Sequence, residues 1–316
     1  MAVTRLGRML FGCDVESDTF SRSSGMLILY NPAAGERRTV RLWRVLDVMA
    51  SSGVHFDLAE TRHPGHATEL AAMAARGGSR LVVAAGGDGT IADVANGLQG
   101  SDCRLGVIPL GTANVLAHEL GLPFAPRAVA AALAFRKSRT VWPGSLNAAG
   151  ITTPKLFVQM VGVGFDAQVV HALWLPMKRA LGRAAYVVQG IREVARYRFN
   201  PITVALDGGT PRDVASVIVS KGHFYGGSHV LAPGASPTAR GFTVAMFDRN
   251  GPHWALAYGA ALPVGRLRHM PGLRLVRAEQ VAITADHAPA QADGDPAGRA
   301  PVTITDARRS IEVIVG

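Results

Sequence analysis

The sequence contains little cysteine and has no long apolar run. Its two cysteines, Cys13 and Cys103, are too few for a disulfide framework or a zinc ribbon. No uninterrupted apolar stretch reaches the ~18 residues that a membrane-spanning helix needs. Residues 1–25 lack the apolar segment of a secretory signal, and we expect them to form a loosely ordered N-terminal extension. Together these absences predict a cytoplasmic protein.

Acidic residues are scarce relative to basic ones. The chain of 316 residues has a formal net charge of +10 and a pI near 10.4, which favours anionic partners such as nucleic acid, a lipid surface or a phosphorylated substrate. Aromatic residues make up only 6% of the chain, and they do not form the aromatic-basic pattern of an RNA-binding sheet. We therefore expect no specific nucleic-acid partner, and favour a phosphate-bearing substrate or an anionic membrane.

The pattern of apolar runs changes near residue 146. Residues 26–146 alternate four times between a short apolar run and a helical stretch, which is typical of a doubly wound, mostly parallel α/β domain. Residues 147–316 are dominated by strand-like runs punctuated by glycine, proline and aspartate. That pattern predicts a mostly antiparallel, β-sandwich-like C-terminal domain.

Three glycine-bearing corners follow strands of the first domain. They are Asn31-Pro32-Ala33-Ala34-Gly35, Gly86-Gly87-Asp88-Gly89-Thr90 and Leu110-Gly111-Thr112-Ala113-Asn114. Because the carboxyl ends of parallel strands meet at one edge of a sheet, we expect the corners to form a single site. Glycine turns between a strand and a helix usually hold phosphate, since backbone N–H groups and the positive helix end favour anions.

Asp88 is unexpected in such a loop, because its carboxylate should repel phosphate. One interpretation is structural: aspartate tolerates turns, and Thr90 with Asp93 can form a capping box for the next helix. The other is functional: the carboxylate faces a metal ion that bridges the phosphates, or it accepts a proton from an attacking hydroxyl. Both functional roles fit transfer of a terminal phosphoryl group.

Other nucleotide-binding and catalytic motifs are missing from the sequence. It contains no G-x-x-x-x-G-K-[ST] and is therefore not a P-loop protein. Residues 162–167, GVGFDA, match a Rossmann fingerprint. We interpret this match as false, because basic residues rather than an acid follow about 20 positions later. Residues 118–122, HELGL, lack the second histidine of the zinc motif H-E-x-x-H.

From about residue 26 to the end, the chain carries a series of motifs in this order: NPAAG, GHATELA, GGDGT, VANGL, PLGTAN, GVGFDA, LGRAAYVVQGI, APGASPTARGFTV and QADGD. The series resembles that of the diacylglycerol kinase catalytic-domain family, which includes bacterial lipid kinases and the sphingosine and ceramide kinases. GGDGT alone is shared with the NAD kinases, whereas the whole series in this order is specific to the lipid-kinase branch.

This resemblance implies an ATP-binding domain at 26–146 and a β-rich domain at 147–316 through which a lipid hydroxyl enters. The residues that would hold the nucleotide phosphates are Asn31, Gly35, Gly87, Asp88, Gly89, Thr90, Gly111, Thr112 and Asn114. By the same analogy, Asp88 lies beside the phosphates and Mg²⁺. The family's Asp-Gly-Glu motif matches Asp293-Gly294-Asp295, in which Asp293 would activate the lipid hydroxyl and Asp295 replaces the glutamate.

Three positions depart from the family pattern. Val115 follows Asn114 where the family commonly has aspartate, and Asp295 is one methylene shorter than glutamate. Arg240 stands where many bacterial members have an aspartate that helps to bind a structural magnesium. These changes affect the auxiliary magnesium network and leave the three glycine corners intact, so we expect nucleotide binding to be retained.

A basic stretch between His171 and Phe199 allows two interpretations. It is either the solvated face of an amphipathic helix or a membrane-contact surface that begins at Trp174 and Leu175. Its basic residues, against the single acid Glu193, are Lys178, Arg179, Arg183, Arg192, Arg196 and Arg198. On the first interpretation, the buried stripe consists of Leu181, Ala184, Val188 and Ile191.

The sequence therefore predicts an ATP- and Mg²⁺-dependent kinase that is peripherally associated with an anionic membrane and phosphorylates a lipid alcohol such as diacylglycerol. Two alternatives remain open. The first is a kinase of the same fold that acts on a sphingoid, isoprenoid or soluble alcohol. The second, motivated by Val115 and Arg240, is a nucleotide- or lipid-binding protein with little kinase activity.

Overall fold

A computed structural model of the chain describes residues 7–9, 25–32, 36–174, 177 and 183–316. The chain divides into unit 1, which contains Met1–Val141 and Arg309–Gly316, and unit 2, which contains Trp142–Arg308. The sequence predicts a boundary near residue 146, with residues 147–316 in the second domain. The structure instead assigns residues 309–316 to unit 1, because the final strand pairs within the sheet of that unit.

Unit 1 is built on a sheet of seven described strands. Their bounds are β1 (Gly7–Met9), β2 (Met26–Tyr30), β3 (Phe56–Glu60), β4 (Leu81–Gly86), β5 (Arg104–Pro109), β6 (Ser138–Val141) and β20 (Ile311–Ile314). The strands lie in the order β1-β3-β2-β4-β5-β20-β6. Neighbouring strands are parallel except for β6, which pairs antiparallel to β20.

Helices cover both faces of this sheet. Their bounds are α1 (Glu36–Ser51), α2 (His66–Arg76), α3 (Asp88–Gly97), α4 (Val115–Leu120) and α5 (Pro126–Phe135). Helix α1 packs with α5, and α2 packs with α3. Every residue of β2 and β4 is buried, as expected for strands covered on both faces. The predicted doubly wound, mostly parallel α/β fold is confirmed.

The N-terminal extension contains one described element. Strand β1 pairs parallel to β3, with Gly7 opposite Phe56 and Met9 opposite Leu58. These three residues therefore extend the sheet, whereas the sequence suggested only a loose segment. The remainder of that segment, residues 1–6 and 10–24, lies outside the described residues.

Unit 2 consists of antiparallel strands with three described α-helices. The strands are β7 (Gly144–Ala149), β8 (Lys155–Phe157), β9 (Met160–Val163), β10 (Ile202–Leu206), β11 (Arg212–Val214), β12 (Ser216–Ser220), β13 (Phe224–Tyr225), β14 (His229–Val230), β15 (Phe242–Phe247), β16 (Leu273–Ala278), β17 (Gln280–Thr284), β18 (Pro289–Ala292) and β19 (Asp295–Asp306). The helices are α6 (Phe165–His171), α7 (Arg183–Val194) and α8 (Pro252–Ala261), with a 3-10 turn at Leu267–His269.

The main sheet of unit 2 is apolar on both faces. Along β12, Val217 and Val219 pack into one hydrophobic cluster, and Ile218, between them, packs into another that includes Tyr258 of α8. This arrangement follows from the alternation of side chains along a strand. An antiparallel sheet buried on both sides confirms the predicted sandwich-like domain.

Helix α7 buries a different face from the one that the sequence suggested. Its described buried residues are Ala185, Gln189, Glu193 and Val194. Glu193 accepts hydrogen bonds from Nε2 of Gln168 at 3.0 Å and Nε2 of Gln189 at 2.9 Å, so the buried face is partly polar.

Two large apolar residues of α7 face solvent instead. Val187 is 64% exposed and Ile191 is 60% exposed, and Ala184 is exposed as well. The suggested buried stripe is therefore wrong at Ala184 and Ile191, whereas Val188 is half-buried. Leu181 of that stripe lies outside the described residues. Among the described helices, none has both the length and the apolar character required to cross a bilayer.

Candidate functional site

The site in unit 1 lies at the carboxyl ends of three neighbouring strands. Strand β2 lies between β3, which follows it in the chain, and β4, which comes after β3. The strand order therefore reverses at β2, and ligands of open α/β sheets bind at such a reversal, beyond the carboxyl ends of the strands. Asn31 follows β2, Gly87 follows β4 and Leu110 follows β5. The structure thus brings the start of each predicted corner to one edge of the sheet.

Two of these corners are packed directly against each other. The backbone N–H of Leu110 donates to the carbonyl of Gly86 at 2.9 Å. A Cβ atom on Gly111 would lie 2.5 Å from the Cα of Gly87, and one on Gly87 would lie 3.1 Å from the Cα of Gly111. Glycine is needed at position 111 because the two backbones touch, and a side chain at position 87 would fit only if the facing backbone shifted. Gly35, from the first corner, lies outside the described residues.

The second corner leads directly into a helix. Helix α3 begins at Asp88, with Gly87 as its extended N-cap, so Gly89 and Thr90 lie in its first turn. The N-terminus of this ten-residue helix carries the positive end of the helix dipole and unpaired backbone N–H groups. This geometry suits a phosphate group.

Asn114 ends the third corner in a left-handed conformation, with φ 48° and ψ 47°. Its Nδ2 donates to the carbonyl of Gly111 at 2.8 Å, which closes the loop. Its Oδ1 is buried, and no donor among the described residues reaches it. A buried acceptor without a donor is costly. A nucleotide hydroxyl or the water of a hydrated cation would supply that donor, so the site fits a nucleotide with its cation.

An arginine from the first helix reaches the third corner. Nη2 of Arg38 donates to Oγ1 of Thr112 at 2.5 Å, which joins α1 to the loop after β5. The contact places a positive charge at the edge where the corners meet. Sequence analysis did not identify this link, because residues 38 and 112 are far apart in the chain.

Asp88 contacts the start of another helix. Its Oδ1 accepts a hydrogen bond from the backbone N–H of Leu116, in the first turn of α4, at 3.3 Å. Burial raises the pKa of the Asp88 carboxyl, and backbone hydrogen bonds from Leu116 and Val115 lower it by less. Asp88 therefore caps α4. This role differs from the capping box of Thr90 and Asp93 that the sequence suggested for α3. Val115, at the family's aspartate position, is buried.

In unit 2, Asp293 and Gly294 form a two-residue hairpin turn between β18 and β19. Their φ angles are 51° and 83°, and Ala292 pairs with Asp295 across the turn. Asp-Gly is favoured in such turns because both residues need positive φ. Asp295 is half-buried at the start of β19.

The carboxylate of Asp293 accepts three backbone hydrogen bonds. Its Oδ2 accepts from the N–H of Val158 at 2.7 Å, and its Oδ1 accepts from Gln159 at 2.8 Å and Met160 at 2.9 Å. These bonds attach the turn to the segment that leads into β9. The geometry of Asp293 is therefore that of an anchor for the turn.

A buried polar chain extends from this turn into unit 2. Oε1 of Gln291 accepts from the N–H of Gly294 at 2.9 Å, and Nε2 of Gln291 donates to Oδ2 of Asp166 at 2.8 Å. The hydroxyl of Tyr225 donates to Oδ1 of Asp166. Burial raises the pKa of the Asp166 carboxyl and raises that of Tyr225 well above its usual value.

Asp166 also explains one glycine of the GVGFDA segment. A Cβ atom on Gly162 would lie 2.0 Å from Oδ2 of Asp166, so the glycine makes room for the carboxyl group. Sequence analysis did not select Asp166, although an acidic residue within an otherwise apolar segment was a signal for it.

The position of the family's structural magnesium does not fit a metal ion in this chain. The guanidinium of Arg240 lies 4.0 Å from the ring centre of Trp142. The ammonium group of Lys221 donates to the backbone carbonyls of Ala239 and Gly241, on either side of Arg240. Two cationic side chains therefore occupy a region in which a divalent ion would be repelled.

Two family models match the chain. Residues 25–146 match the family model described as diacylglycerol kinase catalytic domain, and residues 159–315 match the YegS C-terminal NAD kinase beta sandwich-like domain. The chain is 28% identical over 315 residues to "Putative lipid kinase YtlR" of Bacillus subtilis (strain 168), covering 92% of this chain and 99% of that protein. It is 32% identical over 214 residues to the diacylglycerol kinase of the same organism, covering 66% of this chain and 69% of that protein.

A solved structure shares the fold. A crystal structure of a diacylglycerol kinase from Bacillus anthracis str. Sterne superimposes with a TM-score of 0.68 at 18% identity, covering 94% of this chain and 98% of that chain. The resemblance inferred from the motifs is confirmed.

Proposed function

The chain belongs to the diacylglycerol kinase catalytic-domain family, and we propose that it is an ATP-dependent lipid kinase that phosphorylates the hydroxyl group of a diacylglycerol-like acceptor. The observation that supports this proposal most strongly is the edge at β2, β4 and β5. There the Gly87 and Gly111 backbones touch, α3 presents its N-terminus, and Asn114 has a buried acceptor without a described donor.

In this proposal the three corners bind ATP. Its phosphates are held by Asn31, Gly35, Gly87, Gly89, Thr90, Gly111 and Thr112. Arg38 adds positive charge at Thr112, and Asn114 shapes the third corner and accepts a donor from the bound group. Bound ATP supplies the phosphoryl group, and its Mg²⁺ neutralises phosphate charge. Asp88 fixes the start of α4 against the second corner and places a carboxylate at the phosphate loop.

The acidic residues of the Asp293-Gly294 turn take different roles. Three backbone donors already hold the carboxylate of Asp293, which supports an anchoring role for this residue rather than the activation of the hydroxyl that the resemblance implied. Asp295, which is half-buried at the start of β19 and stands at the family's glutamate position, would then accept the proton of the lipid hydroxyl as the hydroxyl oxygen bonds to phosphorus and ADP leaves. Asp295→Asn should therefore lower turnover more than ATP affinity.

The direct test is transfer of label from γ-labelled ATP to a panel of lipid alcohols in mixed micelles with magnesium. We expect label in a diacylglycerol-like lipid. We also expect Asp88→Asn to lower the rate of phosphoryl transfer on the order of 100-fold. This substitution keeps an oxygen for the Leu116 N–H but removes the negative charge. Asp102→Asn, at an exposed acid of the same unit, should retain full activity.

Other outcomes of this test would replace the proposal. Label only in a sphingoid, isoprenoid or soluble alcohol would show a kinase with a different acceptor. ATP binding without transfer to any alcohol would show a binding protein, and unchanged turnover in Asp88→Asn would remove the charge of Asp88 from the mechanism.

We also propose that α7 contacts an anionic membrane. Val187, Ile191 and Arg192 are exposed on the helix, and Arg196 is exposed in the turn that follows it. Trp174, before the helix, is 67% exposed. An apolar face beside basic residues is typical of helices that lie in a lipid interface, and each basic residue near an anionic surface adds about 1 kcal/mol of attraction. Leu175, Lys178 and Arg179, which the sequence also suggested for this surface, lie outside the described residues.

Vesicle sedimentation tests this surface. The double substitution of Val187→Gln and Ile191→Gln should weaken binding to phosphatidylglycerol vesicles roughly tenfold or more, because two apolar side chains no longer enter the lipid. Val40→Gln, which replaces an equally aliphatic residue that is 49% exposed on α1, is the matched control. Equal binding of both variants would exclude α7 as the contact.

A further inference from the structure

The ammonium group of Lys221 is enclosed within unit 2. The side chain has 0% exposure and extends from the residue that follows β12. Its Nζ donates to the carbonyls of Ala239 and Gly241, each at 3.0 Å, and to Oδ1 of Asp306 at 2.8 Å. The three donor positions of an ammonium group therefore all have acceptors. Nζ also lies 4.9 Å from the ring centre of Phe242.

These contacts join three segments that are distant in the chain. Lys221 follows β12, Ala239 and Gly241 flank Arg240 in the turn before β15, and Asp306 ends β19. The second oxygen of Asp306, Oδ2, accepts from the backbone N–H of Gly241 at 2.8 Å. The carboxylate and the ammonium group thus clamp the same turn from two sides.

Two carbonyls and a carboxylate form a donor set that suits a hard divalent cation. Here the set surrounds an ammonium group, at distances typical of charge-assisted hydrogen bonds. Two further cations lie nearby: Arg240 stacks on Trp142, and Nη2 of Arg277 donates to the carbonyl of Arg240 at 3.1 Å. With a single described carboxylate in contact with the ammonium group, a second positive ion is disfavoured.

We propose that the Lys221 ammonium takes the structural place that the family resemblance assigns to a bound magnesium ion, so that this turn of unit 2 is held by an internal cation and does not require a metal. The conclusion concerns the stability of unit 2 and does not rest on the proposed kinase activity. Burial lowers the pKa of Lys221 below its usual value, and the hydrogen bond to Asp306 offsets part of this effect.

The test is thermal unfolding of the full chain without nucleotide, in excess EDTA and in millimolar magnesium, followed by tryptophan fluorescence. Three of the four tryptophans, including Trp142 beside Arg240, belong to unit 2. We expect the melting temperature of the wild-type chain to be the same in both solutions. Lys221→Met should lower it by roughly 10 °C, because the Asp306 carboxylate and two carbonyls lose their donor. Lys155→Met, at a half-buried lysine of the same unit, should have little effect.

A double variant provides the complementary measurement. Lys221→Met combined with Arg240→Asp removes two positive charges and adds a carboxylate beside the same carbonyls, so magnesium should raise its melting temperature by several degrees. A wild-type chain that is destabilised by EDTA, or a Lys221→Met variant as stable as wild type, would overturn the proposal. A double variant that does not respond to magnesium would show that this turn cannot act as a cation site, which also contradicts it.

Discussion

Close contact between Gly87 and Gly111 leaves no room for a side chain on Gly111. Gly111→Ala would place a methyl group 2.5 Å from the Cα of Gly87, so one of the two corners must move. We expect unit 1 to lose about 1–3 kcal/mol in its free energy of unfolding and ATP binding to weaken with it. Urea unfolding and nucleotide titration measure the two effects.

Gly77→Ala is the matched control for this substitution. Gly77 ends α2 with a φ of −73°, and an added Cβ would meet only carbonyl oxygens at 3.4 Å or more. If Gly111→Ala proved as stable as Gly77→Ala, the two corners would not be in contact in solution.

The buried carboxyl group of Asp166 gives unit 2 a distinct pH dependence. Its pKa in the folded chain is raised by burial, so the unfolded chain loses this proton at lower pH than the folded one. The contribution of Asp166 to stability is therefore fully present below pH ~4 and declines as the pH rises towards its folded pKa. Relative to Asp166→Asn, the wild-type chain should lose stability over this range.

Urea unfolding at a series of pH values measures this difference. Tyr225 donates to Oδ1 of Asp166 and Gln291 donates to Oδ2. Both residues are present in the variant, so the difference between the two proteins reports the titration of Asp166. Parallel stability curves for the two proteins would show that Asp166 does not titrate abnormally.

At the level of the elements, the sequence predicted the supporting strands and the corners better than the partners of individual side chains. The alternation of apolar runs and helices located β2, β4 and β5, and glycine marked their ends. The hydrogen bonds from the N–H groups of Val158 to Met160 to Asp293 could not be predicted from such local patterns, because those residues are 133 to 135 positions away in the chain.

Helix α7 shows a second limit of sequence patterns. Hydrophobic periodicity indicates that a helix has an apolar face, but it does not say whether protein or lipid covers that face. On the buried side of α7, Glu193 accepts a hydrogen bond from Gln168 of α6. The apolar side that includes Val187 and Ile191 is consequently left exposed.

Strand β20 is a buried strand inside the sheet of unit 1. It lies between β5 and β6, and Ile311, Val313 and Ile314 are each no more than 6% exposed. Burying each such side chain contributes about 1.5–3 kcal/mol, so removing the strand approaches the whole stability of a typical domain, about 5–15 kcal/mol. We expect deletion of residues 309–316 to unfold unit 1 and leave unit 2 folded, as measured by circular dichroism and limited proteolysis.

A point substitution in β20 tests whether the strand itself or a side-chain hydrogen bond at its surface stabilises unit 1. Glu312 accepts from the hydroxyls of Ser138 at 2.7 Å and Thr140 at 2.5 Å, and Glu312→Gln retains one of these acceptors. This variant should remain folded. A deletion variant with an intact unit 1 would show that β20 is dispensable.

At the level of the whole molecule, unit 2 is one continuous segment, whereas unit 1 is made of two. Val141 and Ile311 are opposite each other in the β6–β20 pair, so the two pieces of unit 1 meet where unit 2 leaves and returns. We expect residues 142–308 to fold when expressed alone. Unit 1 should fold when a short glycine linker joins Val141 to Arg309.

Cooperative thermal unfolding of each piece is the measurement. The unlinked fragment 1–141, which lacks β20, is the matched control and should fail to unfold cooperatively. If residues 142–308 gave no cooperative transition, unit 2 would depend on unit 1 for its stability.

The return of the chain to β20 has a consequence for protein synthesis. A ribosome makes β5 and β6 early, but it delivers the strand that joins them only after it has translated all of unit 2. During that interval β5 has an unpaired edge, and exposed strand edges promote aggregation. The domain that is translated first is therefore completed last, and the time taken to translate unit 2 is the period in which the nascent chain most needs a chaperone.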